Sequence, residues 1–381
     1  MNRRAVAAAS LTATAIGLAV WAARPDWVES GYVGMAGPWL QGIATVPARW
    51  LPFALSEWVV VGAVVLVFAA LGRSARRFWW QPVARRSIAV RLGANIGLGL
   101  LAGVVWFYAV WGLSYARPPI DARLGWDPAA REDPTPAELD ALAAVLIDRV
   151  NDLYLTLHGT PDGFVPTRAP DGLQAADRAI EAGYRALAAR PEWPDDLGRS
   201  RGPSKPLLSS QLFSWLHIGG MYFPFTAEAT VNALQPQWQQ PHTRAHEKAH
   251  QRFVANEGEA NFVGFLACIH ATDPFVQYSG WLFAQRSVLF AQTTASPWEF
   301  TRRVLERHPG VQRDVLHARA FWDGYTGGGA ELSAAINHAY LRANRVDGGV
   351  TSYSQSQRLV VRWLQHELAD PRGGIPGAPG G

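Results

Sequence analysis

One cysteine, Cys268, is present in 381 residues. No intramolecular disulfide can form, and no cysteine-based zinc cluster can be built. Its neighbours Phe265, Leu266 and Ile269 are apolar, so the thiol is expected to be buried and structural. Charge is scarce as well: 17% of residues are charged and the net charge is +4, too little for a broadly basic surface. Acidic residues are missing between Arg73 and Arg91, a stretch that also holds Arg76, Arg77, Arg85 and Arg86. Alone, such a run would suit nucleic acid or lipid headgroups. Flanked by apolar segments it is a topology signal, and no nucleic-acid partner is expected. What the chain does have is apolar surface, with 49% hydrophobic residues and 17 Trp, which points to a protein that meets a lipid bilayer.

Residues 5–23, AVAAASLTATAIGLAVWAA, are uncharged and follow Arg3 and Arg4. They fit a signal peptide or a first membrane helix. Further membrane segments follow, so an uncleaved helix is the preferred reading. Residues 24–52 carry Pro25, Pro38, Pro47 and Pro52 with Trp27, Trp39 and Trp50, the composition of an interfacial loop or short surface helix. A second span is expected over 53–72, with Glu57 at its headgroup end, and a third over 92–113. The arginine-rich stretch 73–91 forms the loop between them. The positive-inside rule then puts the N-terminus and that loop in the cytoplasm and everything after Tyr115 on the far side.

A membrane region is therefore expected over 1–115, an extracytoplasmic domain over 116–370 and a disordered Gly/Pro-rich tail over 371–381. Leu139, Leu142, Leu146 and Val150 recur at helical spacing within a helix running from about 134 to 157. A second amphipathic helix covers about 173–189, and residues 191–206 read as an exposed loop. The stretch 219–234, GGMYFPFTAEATVNAL, is the best strand candidate.

The chemistry concentrates in 242–269, HTRAHEKAHQRFVANEGEANFVGFLACI. His246 and His250 are four residues apart, so on a helix both imidazoles can grip one ion from the same side. Glu247 sits beside that ion, where a general base must be if a zinc-polarised water is the nucleophile. A third ligand has to come from nearby in space, and a helix starting near Glu257 could turn back against the first, its small residues Ala260, Gly264 and Ala267 or Cys268 permitting close packing. Glu257 and Glu259 compete for the role. Glu257 is one turn from Asn261, a spacing that lets the carboxylate bind metal while the amide orients a ligand histidine, and this favours Glu257. Asn337, Tyr340 and Asn344 line one face of a later helical stretch, and Tyr340 is the chosen candidate for stabilising transition-state charge. His217, His242, His270 and His338 read as surface or satisfied core histidines.

The blocks YFPFTAEATVNALQP, HEKAHQRFVANEGEANFVGFLAC and AYLRANRVDGGVTSY, with the junction WGLSYARPP at 111–119, resemble a bacterial membrane family of unassigned function with an HExxH centre, a domain of unknown function. The resemblance covers about Leu92 to Leu368. Glu257-x-x-Ala260-Asn261 is similar to the E-x-x-A-D element of HtpX-type, CAAX-prenyl-type and ImmA/IrrE-type zinc peptidases, with Asn261 where those have Asp. That likeness implies Glu257 as third ligand. Asn232-Ala233 looks like the edge-strand element of the HtpX group.

The expected protein is thus membrane-anchored and mainly α, with three N-terminal transmembrane helices and a zincin-like, mostly helical domain carrying a small sheet. It sits in the bacterial cytoplasmic membrane and cleaves a peptide or protein substrate with Zn2+. Two rivals are a non-catalytic structural or signalling zinc protein and a zinc hydrolase of another envelope bond.

Overall fold

The computed structural model describes residues 3–126, 134–159, 166–193, 195–335 and 352–369. The chain divides into two compact units. The first is Met1–Pro118 with Phe223–Glu228, and the second is Pro119–Tyr222 with Ala229–Gly381.

The first unit contains α1 (Arg3–Ala22), α2 (Gly37–Arg49), α3 (Leu55–Trp80) and α4 (Arg85–Val110). α1, α3 and α4 are long and apolar enough to cross a membrane, and almost none of their surface is covered by the protein itself. Arg73, Arg76, Arg77, Arg85, Arg86 and Arg91 do not lie in a loop. α3 and α4 run through them, leaving a short 3₁₀ turn at Pro82–Ala84 as the connection. Arginine is a good helix former whose long stem can follow an apolar helix while its charge reaches water, so the helix stops only where Pro82 removes a backbone donor.

Residues 24–52 are more ordered than their prolines suggest. A π-helical stretch Val28–Ala36 runs directly into α2, with Pro38 at the junction where the helix type changes. Glu29 pairs with Arg117 at 2.6 Å. The amides of Leu55 and Ser56, which open α3, donate at 3.0 and 2.7 Å to the Glu228 carboxylate. A negative charge from 172 residues away thus caps a helix whose own N-cap, Ala54, has no side chain able to do so.

In the second unit, α5 (Pro136–His158) starts at a Thr135/Glu138 capping box and ends at left-handed Gly159. Leu139, Leu142, Leu146 and Val150 are all buried. Next come α6 (Leu173–Ala188), β1 (Lys205–Pro206), α7 (Ser210–Trp215), β2 (Gly220–Phe223) and β3 (Glu228–Val231). The expected strand at 219–234 is therefore a hairpin of two strands. The sheet order is β1-β3-β2, with β1 parallel to β3 and Lys205 opposite Thr230. Residues 191–206 are a loop only in part exposed, closing with the two residues of β1. Ser204 and Lys205 are buried, because this segment supplies an edge strand and its carbonyls are needed inside.

The chain continues through α8 (Gln240–His250), α9 (Glu257–Ile269), α10 (Pro274–Ala295), α11 (Pro297–Leu305), α12 (Pro309–Asp323) and α13 (Ser352–Ala369). α9 is the centre. Every residue from Phe262 to Ile269 is buried, as an all-round apolar helix must be, and α6, α8, α10 and α13 pack around it.

Backbones approach most closely at glycines. A methyl group on Gly183 would overlap the Ala267 carbonyl, and one on Gly264 would come within 2.9 Å of the His246 amide. Gly183→Ala is expected to cost ~3 kcal/mol, at the upper end of overpacking effects because the obstacle is backbone. Gly93→Ala, which would meet nothing within 4 Å, should be close to neutral. Thermal unfolding of the two variants in detergent checks the contrast.

Candidate functional site

α8 carries two opposed faces. On one, His246 and His250 lie one turn apart with their Nε2 atoms 3.1 Å from each other. The ligand atoms of His246, Glu247 and His250 all fall within 4.8 Å of one another. The carboxylate aimed at both imidazoles, however, is that of Glu257. Its Oε2 is 3.1 Å from His246 Nε2 and 3.7 Å from His250 Nε2.

The turn between α8 and α9 brings these groups together. Phe253 adopts a left-handed conformation, φ +63, which costs an L-residue about 1–2 kcal/mol and is offset by complete burial of its ring. The reversal directs the Val254 carbonyl to His250 Nδ1 at 2.7 Å, so His250 keeps its proton on Nδ1 and turns Nε2 toward the cluster. Asn256 then caps α9 by accepting from the Glu259 amide at 3.1 Å.

The two glutamates of the first turn of α9 part company. Glu259 accepts from the Ile120 amide at 3.0 Å and pairs with Arg123 at 3.1 Å, whereas Glu257 faces the histidines with its side chain 30% exposed. Asn261 follows Glu257 by one turn, and its main-chain carbonyl receives His242 Nε2 at 3.1 Å. His246 Nδ1 is buried and has no hydrogen-bond partner among the described residues. His217 and His270 bond to the carbonyls of Tyr325 and Leu266, satisfying both. Tyr340, Asn337, Asn344 and His338 lie outside the described residues, as does the tail 371–381.

Burial opposes protonation of His250, but the charge and hydrogen bond of Glu257 outweigh it and push the imidazole up to about 9. Burial also opposes ionisation of Glu257, yet the charge of His250 and the hydrogen bonds from both imidazoles hold its carboxyl far below the usual range. Glu247 differs. Burial raises its carboxyl above the ordinary value, while His246 and His250 only moderate the effect. His242, stacked on Phe283 with ring centroids 3.8 Å apart, is driven down to about 3 by burial and the neighbouring His246.

Several contributors were not visible in the sequence. β2 is an edge strand, and the Tyr222 amide donates to the Glu247 carboxylate. Gly220 makes this possible, since any Cβ there would lie 2.8 Å from Glu247 Oε1. The strand itself was expected over 219–234; its contact with Glu247 was not.

The rear face of α8 is charged and buried. Arg244, Lys248 and Arg252, at i, i+4 and i+8, meet Asp177 and Glu181 on α6. Lys248 Nζ lies 2.7 Å from Glu181, 3.2 Å from Asp177 and 2.9 Å from the Gly202 carbonyl. Arg252 pairs with Glu181 at 2.7 Å, donates to the Leu197 carbonyl at 2.6 Å and lies 3.9 Å above the Tyr184 ring. Arg244 donates to Ser204 at 2.7 Å. Tyr184 donates to the Ala245 carbonyl at 2.6 Å. This ladder fixes the rotation of α8, and with it the direction in which His246 and His250 point.

Fold and site together define a mainly helical protein with three membrane-length helices and a His–Glu cluster held between two buried helices. Residues 32–361 match the family described as "Protein of unknown function (DUF3810)", and the chain belongs to that family. No curated protein and no solved structure matches the chain.

Proposed function

We propose that the protein is a membrane-bound zinc metallopeptidase with a zincin-like second unit, its site facing the outside of the bacterial cytoplasmic membrane. The observation that carries this reading is the triangle of His246 Nε2, His250 Nε2 and Glu257 Oε2, with sides of 3.1, 3.1 and 3.7 Å. Donor atoms around a tetrahedral zinc, at bond lengths of about 2.0–2.1 Å, are separated by roughly 3.3 Å. Two imidazoles, each neutral once its Nε2 is given to a metal, and one carboxylate also form a donor set typical of a catalytic zinc, which leaves a fourth position for water.

Zinc held by His246, His250 and Glu257 would supply a polarised water with a pKa near 7. Glu247 is the residue placed to accept a proton there and to return it to a leaving amine. Its buried carboxylate, raised in pKa and held by the Tyr222 amide, suits a group that has to trade a proton near neutrality. Val254 fixes the His250 tautomer from behind. Asn261, one turn from Glu257, is the proposed partner of the buried His246 Nδ1.

The topology follows the arginines. Those at the two facing ends of α3 and α4, with Arg3 and Arg4, mark the cytoplasmic side. The second unit follows α4 and is then extracytoplasmic.

Metal analysis of the purified full-length protein tests the site. Equimolar zinc is expected in wild type and in Glu259→Gln, and loss of zinc in Glu257→Ala. Retention of zinc by Glu257→Ala, or a metal-free wild type, would overturn the ligand assignment.

A further inference from the structure

The segment from Val28 to Trp50 turns an apolar face outward, which a helix in water does not. Its inward side buries Val28, Tyr32, Val33, Ala44 and Ala48 together with the polar Gln41 and Thr45. Its outward side is apolar. Met35 is 71% exposed, Trp39 69%, Ile43 48%, Val46 55% and Trp50 82%. These five recur at helical spacing, so they form one continuous stripe along the π-helical stretch and α2. From Gly31 to Ala48 there is no Asp, Glu, Lys, Arg or His. A surface helix of a soluble protein turns polar residues outward, whereas this one turns its large apolar residues outward and has apolar residues inward as well.

The stripe offers no charge to a soluble partner. Its two tryptophans are of the kind enriched where membrane meets water, with the aliphatic side chains between them. The segment joins α1 to α3, and α3 has the same character, with Val65 59% and Phe68 69% exposed. We infer that the Met35–Trp50 face is a lipid-contacting surface, a fourth membrane-embedded element beyond the three membrane-length helices. The inward face then packs on protein, where the polar groups of Gln41 and Thr45 escape hydrocarbon. This inference rests on the reading of α1, α3 and α4 as membrane spans.

Spin labelling tests it on the full chain. Ile43→Cys and Val46→Cys are small changes on exposed positions, Trp39→Cys adds the aromatic site, and Val65→Cys on α3 serves as the reference. Cys268 is fully buried and should stay unlabelled. In phosphatidylcholine vesicles, the labels at 39, 43 and 46 should collide several-fold more often with oxygen, which partitions into lipid, than with a water-soluble nickel chelate, as the label at 65 does. Nickel-dominated collisions at 43 and 46, with an oxygen-dominated label at 65, would overturn the inference and leave the spans standing. Low collision with both reagents at 43 and 46 would also overturn it, by showing that protein covers the face. Nickel-dominated collisions at 65 would instead sink the spanning reading on which the inference rests.

Discussion

Glu181→Gln is expected to destabilise the second unit by about 3–5 kcal/mol, the cost of removing one partner from a buried ion pair. Glu181 touches both Lys248 and Arg252, whose side chains have no exposed surface. The neutral amide would leave two desolvated cations leaning on Asp177 and on main-chain carbonyls. Replacing the whole ladder by apolar residues of equal volume should cost far less, because the penalty belongs to the unpaired charge.

The same carboxylate makes the effect depend on pH. Burial works against ionisation of Glu181, but Arg252 and Lys248 more than compensate and lower its value from 4.5 to about 2. A depressed carboxylate contributes stability that is fully present above its unfolded value and is lost as pH falls through the folded one. The gap between wild type and Glu181→Gln should therefore be widest above about pH 5 and shrink by on the order of 3 kcal/mol toward pH 2. Thermal unfolding of both proteins in detergent across that range measures it. A pH-independent gap would show that the ladder acts through packing and not through charge.

Glu247→Gln is expected to slow hydrolysis of a susceptible peptide by about a hundred- to ten-thousand-fold, the usual contribution of a positioned general base. Zinc should remain bound, because Glu257 and the two imidazoles are untouched. The variant is conservative in one more respect: a Gln side-chain oxygen can still accept from the Tyr222 amide, so β2 keeps its place against α8. A quenched-fluorescent peptide library, assayed on zinc-replete protein in detergent, provides the readout. Equal turnover by wild type and variant would remove Glu247 as the base. Zinc-loaded wild type that cleaves no member of the library would favour a structural zinc site or another envelope substrate.

The sequence revealed what depends on near neighbours along the chain. The stripe of Leu139, Leu142, Leu146 and Val150 is buried as its spacing requires. Asn256 caps α9 where a break was expected, and Cys268 is buried. Membership of the family was legible too, from the blocks around His246. For residues 24–52 the short-helix alternative is the one found, and residues 191–206 were read less well. Proline and glycine mark a change of direction, but they do not tell whether the segment is then buried by something distant. Pro38 opens a helix, and the Pro/Gly-rich 191–206 stretch turns its carbonyls toward Lys248 and Arg252.

The sequence by itself determined three apolar helices of membrane length, from the length of their uncharged runs, and one helix face carrying two imidazoles, from the four-residue spacing of His246 and His250. The sequence favoured Glu257 over Glu259, but only the tertiary structure shows what each carboxylate touches. The two carboxylates are two residues apart and chemically alike, and their difference lies in what Ile120 and Arg123 hold and what the Phe253 turn brings back to the histidines. The ladder behind α8 and the Gly220–Glu247 contact belong to the same class. Each joins segments tens of residues apart, and no local pattern records a partner that far along the chain.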